Sequence, residues 1–350
     1  MKNCSFLVVT FIVLLSTSVF SQSDSFRVAG VMRNFIVHAP SGLSNPPLVF
    51  ILHGYSMDAA LMVYITQMDK IADRDKFIVV YPNAINKSWN SSGPDDFTFL
   101  LAIIDTLNAR YHIDLNRVYA SGFSQGGFLT FTLGCKYSDV FAAIAPVSGH
   151  HTVADCALKR PVPMFCTFGT KDAGVTNGDV SSFMKDVATW MKLDSCTGSP
   201  KRTSPYPSSN PNSVITQVVY GPCAQGTEVM YDSVVGGPHE WPMDTKTKVN
   251  TSEEVWAFFK RFSRTSITAI HEQTLSTTRK AISVSYSSGI VRLLGVGEKA
   301  RVRVTDTKGR LVEAAIAERR QFVLKDKSSG VYIIMVTEEN RPFALRMVIP

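Results

Sequence analysis

The segment Gly122-Phe-Ser-Gln-Gly-Gly127, entered directly from the apolar run Arg117-Val-Tyr-Ala-Ser121, admits few folds. A strand that runs into Gly-x-Ser-x-Gly and out into a helix turns sharply at the edge of a parallel sheet and lifts one serine hydroxyl clear of it. The flanking glycines remove the β-carbons that would block so tight a turn, and Ser124 must accept a strained backbone. A serine displayed in this way is a candidate nucleophile. The rest of the chain must then supply a base, an acid to orient the base, and donors for an oxyanion.

The surrounding pattern suits such a sheet. From Phe35 to about Ser263, short apolar runs alternate with helical stretches. Arg33–His38, Leu48–Leu52, Phe77–Tyr81, Val118–Ala120, Phe141–Val147, Met164–Phe168, Val214–Tyr220 and Glu228–Val234 read as strands. Asp58–Arg74, Phe97–Tyr111, Phe128–Tyr137, Val180–Leu193 and Glu253–Arg264 read as helices. The alternation predicts an α/β fold, a doubly wound and mainly parallel sheet with helices on both faces. The Pro/Ser/Asn-rich stretch Gly198–Ser213 reads as a specificity loop, either a lid or a flexible excursion.

After Arg264 the texture changes to seven short period-2 strands between Ile282 and Val348, with turns at Ser287–Gly289, Lys308-Gly309 and Ser328–Gly330. That spacing predicts a small all-β sandwich. The expected organisation is residues 1–21 as a secretory signal, 22–264 as the α/β domain, 265–276 as a linker and 277–350 as the β-domain. The signal reading rests on Lys2, the apolar stretch Phe6–Leu15 and a cut near Ser21; that stretch is too short to span a bilayer.

Each of the seven histidines has to be weighed as the base. His239 lies in Gly236-Gly-Pro-His-Glu-Trp-Pro242, a loosened loop just after a strand, where such a base belongs. His150 and His151 follow an earlier strand and suit the cleft lining. His53 precedes Gly54 and suits an orienting role, while His38, His112 and His271 suit structural ones. For the acid, Asp172 sits at the tip of the strand Met164–Phe168, and Asp179 is its nearest rival, better read as a helix cap. The expected oxyanion donors are the backbone N–H groups of Gln125, at a helix N-terminus, and of Tyr55, after the strand Leu48–Leu52.

A hydrophobic fraction of 45% with 19% charged residues is that of a globular chain. The net charge of +7 is uneven: from Ser266 onward there are 14 Lys/Arg against 8 Asp/Glu. The serine-bearing segment is therefore close to neutral, which gives nucleic-acid binding no support. An exported chain can form disulfides. Beyond Cys4, in the signal, Cys166 reads as a buried strand thiol. The other four can pair as Cys135–Cys156 and Cys196–Cys223, although sequence alone leaves the connectivity open. No His-Glu-x-x-His or Cys-x-x-Cys suggests a metal site, and no cofactor is expected.

His53-Gly-Tyr, Tyr81-Pro-Asn83, Asp95-Asp-Phe-Thr-Phe-Leu100, Arg117-Val-Tyr, Gly122-Phe-Ser-Gln-Gly-Gly127 and Gly236-Gly-Pro-His-Glu-Trp-Pro242 together resemble one group of secreted α/β-hydrolases. The group is carbohydrate esterase family one with its polyhydroxybutyrate depolymerase-like members, which include feruloyl and acetyl xylan esterases. The resemblance spans roughly Arg33 to Arg264. It implies Ser124, Asp172 and His239 as a triad, with plant cell-wall polysaccharide or its oligosaccharide esters as partner. It also implies Trp89 and Trp241 as substrate-side aromatics, with packed loop anchors as the plainer reading, and a pair at Cys196 and Cys223. Gln125 departs from the Asn that relatives often carry, but a backbone N–H serves with either.

The tail, with Arg301-Val-Arg-Val-Thr-Asp-Thr-Lys-Gly-Arg-Leu-Val312 and Ser329-Gly-Val-Tyr-Ile-Ile-Met-Val336, resembles the sorting domain of type IX secretion in Bacteroidota. That implies secretion machinery as a partner and an extracellular or cell-surface location. A carbohydrate-binding sandwich is the rival reading, weakened by a tail without Trp. For the whole chain, the expectation is a secreted serine esterase acting on feruloyl or acetyl groups. The alternatives are a polyhydroxybutyrate depolymerase and a non-catalytic surface-binding protein.

Overall fold

In the computed structural model the described residues are 21–264, apart from 91–93, 152, 154, 174–178 and 245–247, and beyond residue 282 chiefly the strands between 283 and 349. The expected signal, but for residue 21, and the expected linker 265–276 lie outside them. The chain divides into two compact units at residues 271/272.

The first unit holds ten strands in one sheet. In chain order its elements are β1 (Gln22–Val28), β2 (Val31–His38), β3 (Leu48–Leu52), α1 (Ala59–Thr66), α2 (Met68–Asp75), β4 (Ile78–Pro82), α3 (Pro94–Tyr111), β5 (Val118–Phe123) and α4 (Gln125–Lys136). They continue as β6 (Ala143–Val147), β7 (Met164–Gly169), α5 (Ser181–Leu193), β8 (Lys201–Thr203), β9 (Ile215–Tyr220), β10 (Val229–Val234) and α6 (Thr251–Phe259). The strand order is β1-β2-β4-β3-β5-β6-β7-β10-β9-β8. The six strands from β4 to β10 run parallel, and an antiparallel pair flanks them at each edge.

Period-2 alternation builds a core on each face of these strands. Phe50, Ala120, Ile144 and Met164 face a cluster that includes Leu100, Leu129 and Trp190. Val49, Tyr119, Ala145 and Phe165 face one that includes Met62, Ile71, Trp256 and Phe259. The doubly wound expectation for this unit is met, and the arrangement matches an α/β-hydrolase fold.

Three local expectations are corrected. The stretch read as a single helix over Asp58–Arg74 is two helices, because Gln67 takes a left-handed conformation (φ 48°) and its N–H closes α1 on the Val63 carbonyl. The edge strands β1 and β8 escaped the pattern because they are polar and exposed. The stretch 198–213 is an anchored excursion rather than a free loop: β8 pairs with β9, and the Tyr206 hydroxyl donates to Glu254 Oε2 at 3.0 Å.

The second unit contains β11 (Ser283–Ser287), β12 (Ile290–Leu294), β13 (Lys299–Asp306), β14 (Leu311–Glu318), β15 (Gln321–Val323), β16 (Gly330–Glu338) and β17 (Arg341–Ile349). These coincide with the seven expected strands within a few residues. They pair antiparallel in the order β11-β12-β15-β14-β13-β16-β17.

Within β10 lies a buried carboxyl, Asp232, near half-buried Glu254. Asp232 accepts from Gln217 Nε2 at 3.0 Å, and burial, then the charge of Glu254, pushes its pKa up to about 8. Burial likewise raises Glu254. The unfolded chain releases the Asp232 proton near pH 4, whereas the folded chain keeps it to about pH 8. Between those limits the folded state binds more protons, so stability falls as pH rises. Urea titrations from pH 4 to 8 are expected to show a progressive loss on the order of a few kcal/mol. Asp232→Asn is expected to remove roughly half of the slope and to leave a comparable remainder from Asp194, which burial pushes up to about 7.

Candidate active site

The register of the sheet assembles the site at one edge. Leu52 pairs with Gly122, Phe123 with Val147, Val147 with Thr167 and Gly169 with Val234. The loops that follow these residues therefore emerge side by side at the C-terminal edge. Chain direction reverses around β3: α1 and α2 lead to β4 on one side, and α3 carries the chain to β5 on the other. A crevice opens at such a switch point. The loop after β3 and the turn after β5 line it.

Ser124 occupies that turn at φ 54°, ψ −116°, a conformation that is strained for a residue with a β-carbon. It stands at the N-cap of α4, yet its hydroxyl is not spent on capping the helix. The turn is pressed against the end of β3. A β-carbon at Gly126 would lie 2.3 Å from the Leu52 carbonyl oxygen and 2.7 Å from that of His53, so only glycine lets α4 start there. One at Gly54 would meet Ser124 Cβ at 3.4 Å. The Gln125 and Tyr55 segments, the expected oxyanion donors, thus flank the serine, and Tyr55 is 67% exposed.

His239 starts three strands away from Ser124 in the sheet, so its loop must travel back across β7 and β6. Hydrogen bonds mark the route. Lys171 N donates to the Gly237 carbonyl at 2.9 Å, and Ser148 Oγ donates to that of Glu240 at 2.8 Å. The His239 ring then packs on Phe123, beside Ser124, with centroids 4.8 Å apart. His239 Nδ1 donates to Asp172 Oδ2 at 2.9 Å, and Asp172 is fully buried. This leaves Nε2 as the imidazole's other nitrogen for a proton acceptor. The rival Asp179 accepts from Ser181 N and Oγ at the start of α5, the capping role that the sequence suggests for it.

His53 is buried, and both its ring nitrogens are engaged. Nδ1 donates to the Gly54 carbonyl at 2.8 Å and Nε2 accepts from Ala84 N at 3.0 Å. Burial lowers its pKa, so the ring is neutral. His150 is half-buried at the same edge, edge-on to Phe128 and Phe183, with Nδ1 3.9 Å from Asp186. Its neighbour His151 is pinned through its backbone N–H to Asp186 Oδ2 at 2.7 Å. Cys135 is bonded to Cys156 and Cys196 to Cys223, while Cys166 is buried and reduced. Among the described residues no cluster of His, Cys, Asp or Glu is placed to hold a metal ion, and no helix is long and apolar enough to cross a membrane.

A family model described as esterase PHB depolymerase matches residues 34–159. Feruloyl esterase D of Neurospora crassa is 30% identical over 259 residues, which cover 69% of this chain and 86% of that protein. The chain belongs to the esterase PHB depolymerase family. Its members are carboxylic ester hydrolases. A bifunctional acetylxylan esterase/xylanase of Neocallimastix patriciarum is 33% identical over 221 residues, 62% of this chain, which spans only 32% of that protein. Poly(3-hydroxyalkanoate) depolymerase C of Paucimonas lemoignei is 32% identical over 42% of this chain and 39% of its own length. In fold, the acetyl xylan esterase from Aspergillus awamori superposes with a TM-score of 0.52 at 15% identity, covering 65% of this chain and 94% of that one.

In this member of the family, Trp89 and Trp241 do not offer their faces to a substrate. Both are 5% exposed. Trp89 Nε1 donates to the His53 carbonyl at 2.8 Å, and Trp241 Nε1 donates to Ser252 Oγ at 3.0 Å. They hold loops, and their indole N–H groups need the partners that burial demands. The sequence reading also missed the Gln125 side chain. Its Oε1 accepts from Trp89 N at 3.0 Å, and its Nε2 donates to Ser88 Oγ at 3.1 Å. The adjoining Asn90 N is held by buried Asp96 at 2.6 Å, which pairs with Arg33.

Gly126→Ala is expected to force α4 away from β3. Denaturation should show a loss of about 2 kcal/mol or more, typical of forced overpacking, together with loss of ester hydrolysis. Gly42→Ala, at an open surface turn with left-handed φ, is expected to cost less stability and leave hydrolysis intact.

Proposed function

We propose that this chain is a serine esterase in which Ser124, His239 and Asp172 hydrolyse carboxylic esters on plant polysaccharide, feruloyl or acetyl. The observation that carries the reading is the meeting, at one sheet edge, of the strained Ser124 turn with the His239–Asp172 pair. Ser124 Oγ attacks the ester carbonyl carbon while His239 Nε2 takes its proton, and buried Asp172 holds the imidazole in that tautomer. The oxyanion is held by the N–H groups of Tyr55 and Gln125. The collapsing intermediate expels the alcohol, here a sugar hydroxyl, which receives the proton from His239. Water then cleaves the acyl-enzyme by the same route. The substrate class is supported by relatives named as acetylxylan and feruloyl esterases.

A second reading, a polyester depolymerase, is favoured by one surface. Tyr55, Leu61, Tyr64 and Ile85 are all exposed, and hydrogen bonds between Ser56 N and the Lys87 carbonyl and between Lys87 and Asp58 hold their segments together. Helix α1 is apolar all round, which is unusual for a helix with a solvent face. We read the segment beyond residue 276, basic overall and built of short strands, as a sorting domain engaged by secretion machinery, and the chain as extracellular or cell-surface.

Ser124→Ala and Asp172→Asn are each expected to lower kcat on a p-nitrophenyl ester about ten-thousand-fold with the fold retained. Unchanged turnover in either variant would overturn the assignment, whereas no turnover by the unaltered chain would favour a non-catalytic binding protein. Side-by-side rates on methyl ferulate, acetylated xylan and hydroxybutyrate oligomers separate the two readings, with the first two expected to dominate.

A further inference from the structure

An oxyanion site made of two backbone donors works only if they stand at a fixed separation, because the charge develops between them. Here the two come from segments distant in sequence, the first residue of α4 and the loop after β3. Three side chains bridge the gap. The Gln125 carboxamide accepts from Trp89 N at 3.0 Å and donates to Ser88 Oγ at 3.1 Å and to the Trp89 carbonyl at 3.4 Å. Trp89 carries the connection onward: Nε1 donates to the His53 carbonyl at 2.8 Å, and its ring packs on the His53 imidazole at 4.8 Å. His53 Nδ1 closes on the carbonyl of Gly54, the residue that precedes the Tyr55 N–H.

The bridging segment has little regular structure to hold it. It contains one 3-10 turn, Ile85–Lys87, in which Asn86 and Lys87 both take left-handed φ values of 51° and 57°. Such residues persist only where their surroundings impose them. The turn itself is tied by Ala84 N to His53 Nε2, by Ser56 N to the Lys87 carbonyl and by Lys87 to Asp58. The residues after it are held by Gln125, through Trp89 N, and by Asp96, through Asn90 N.

We propose that the Gln125 side chain, Trp89 and His53 form a positioning relay that sets the distance between the two oxyanion donors. Gln125 thereby acts twice. Its backbone N–H meets the oxyanion, and its carboxamide, which touches no reacting atom, holds the segment on which the second donor depends. The inference rests on the reading of Ser124, His239 and Asp172 given above.

The test uses the full chain and p-nitrophenyl acetate. Gln125→Met keeps the side-chain volume and removes its hydrogen bonds, and Trp89→Phe keeps an aromatic ring and removes the indole N–H. Each is expected to lower kcat about tenfold to a hundredfold, the scale of a misplaced catalytic group, with KM within about twofold. Affinity for a phenylboronic acid, whose tetrahedral serine adduct fills the oxyanion site, should fall by the same factor as kcat/KM. The pH–rate profile should keep its shape, because His239 and Asp172 are untouched. In a double-mutant cycle the pair should cost no more than the worse single variant, as links of one chain do.

Unchanged kcat in Gln125→Met, additive losses in the cycle, or a rise in KM at constant kcat would each overturn the relay. Trp89→Phe carries the same test if Gln125→Met fails to fold. Ser124→Ala separates the two levels of inference. If it abolishes hydrolysis while Gln125→Met is fully active, the relay fails and the serine mechanism stands. If Ser124→Ala remains active, the mechanism itself fails.

Discussion

The approach of α4 to the end of β3, with no side chain between them, is the contact on which the site depends. A helix N-terminus presents unpaired N–H groups and a partial positive charge. At the Gly126 position that terminus lies against the carbonyls of Leu52 and His53. The backbone of the Gly54–Tyr55 loop is thereby drawn beside the serine turn. Any β-carbon at Gly126 would push the two apart and separate Ser124 from the loop after β3. The parallel register then brings the Asp172 and His239 loops to the same edge, so the sheet supplies coarse placement and the glycine contact supplies the fine adjustment.

Much of this was legible in the chain because the determinants are local. Apolar runs such as Leu48–Leu52 and Met164–Phe168 can be little other than buried strands, and each ends in a glycine-containing loop at the functional edge. That positional rule picks out His239 and Asp172, which the structure pairs at 2.9 Å. What stayed hidden depends on where side chains point in three dimensions. Gln125 follows the serine in sequence, so the place of its backbone N–H was visible, but the direction of its carboxamide is set by Ser88 and Trp89. Trp89 and Trp241 carry the same residue type whether they face substrate or pack beneath a loop, and the packed role wins in both cases. The break at Gln67 was masked because the residues on both sides are equally helical in pattern.

The two readings of the substrate draw on different parts of the molecule. The serine, histidine and aspartate are indifferent to what lies beyond the ester. The exposed apolar corner around Tyr55 and Tyr64 is not, since it offers a surface suited to aromatic or aliphatic groups next to the oxyanion loop. On the proposed reading, discrimination between a feruloyl, an acetyl and a hydroxybutyryl ester falls to this rim and to the His150 side of the cleft.

The disulfide between Cys135 and Cys156 makes those two sides mechanically unequal. It ties the last turn of α4, the helix that starts at Ser124, to the loop that carries His150 and His151, and Asp186 pins that loop again. The opposite wall, from Tyr55 to Tyr64, is joined to its neighbours by hydrogen bonds and the exposed Asp58–Lys87 pair. The His150 side of the cleft is thus one covalent piece with the Ser124 helix, so a change in that loop is felt at the serine turn.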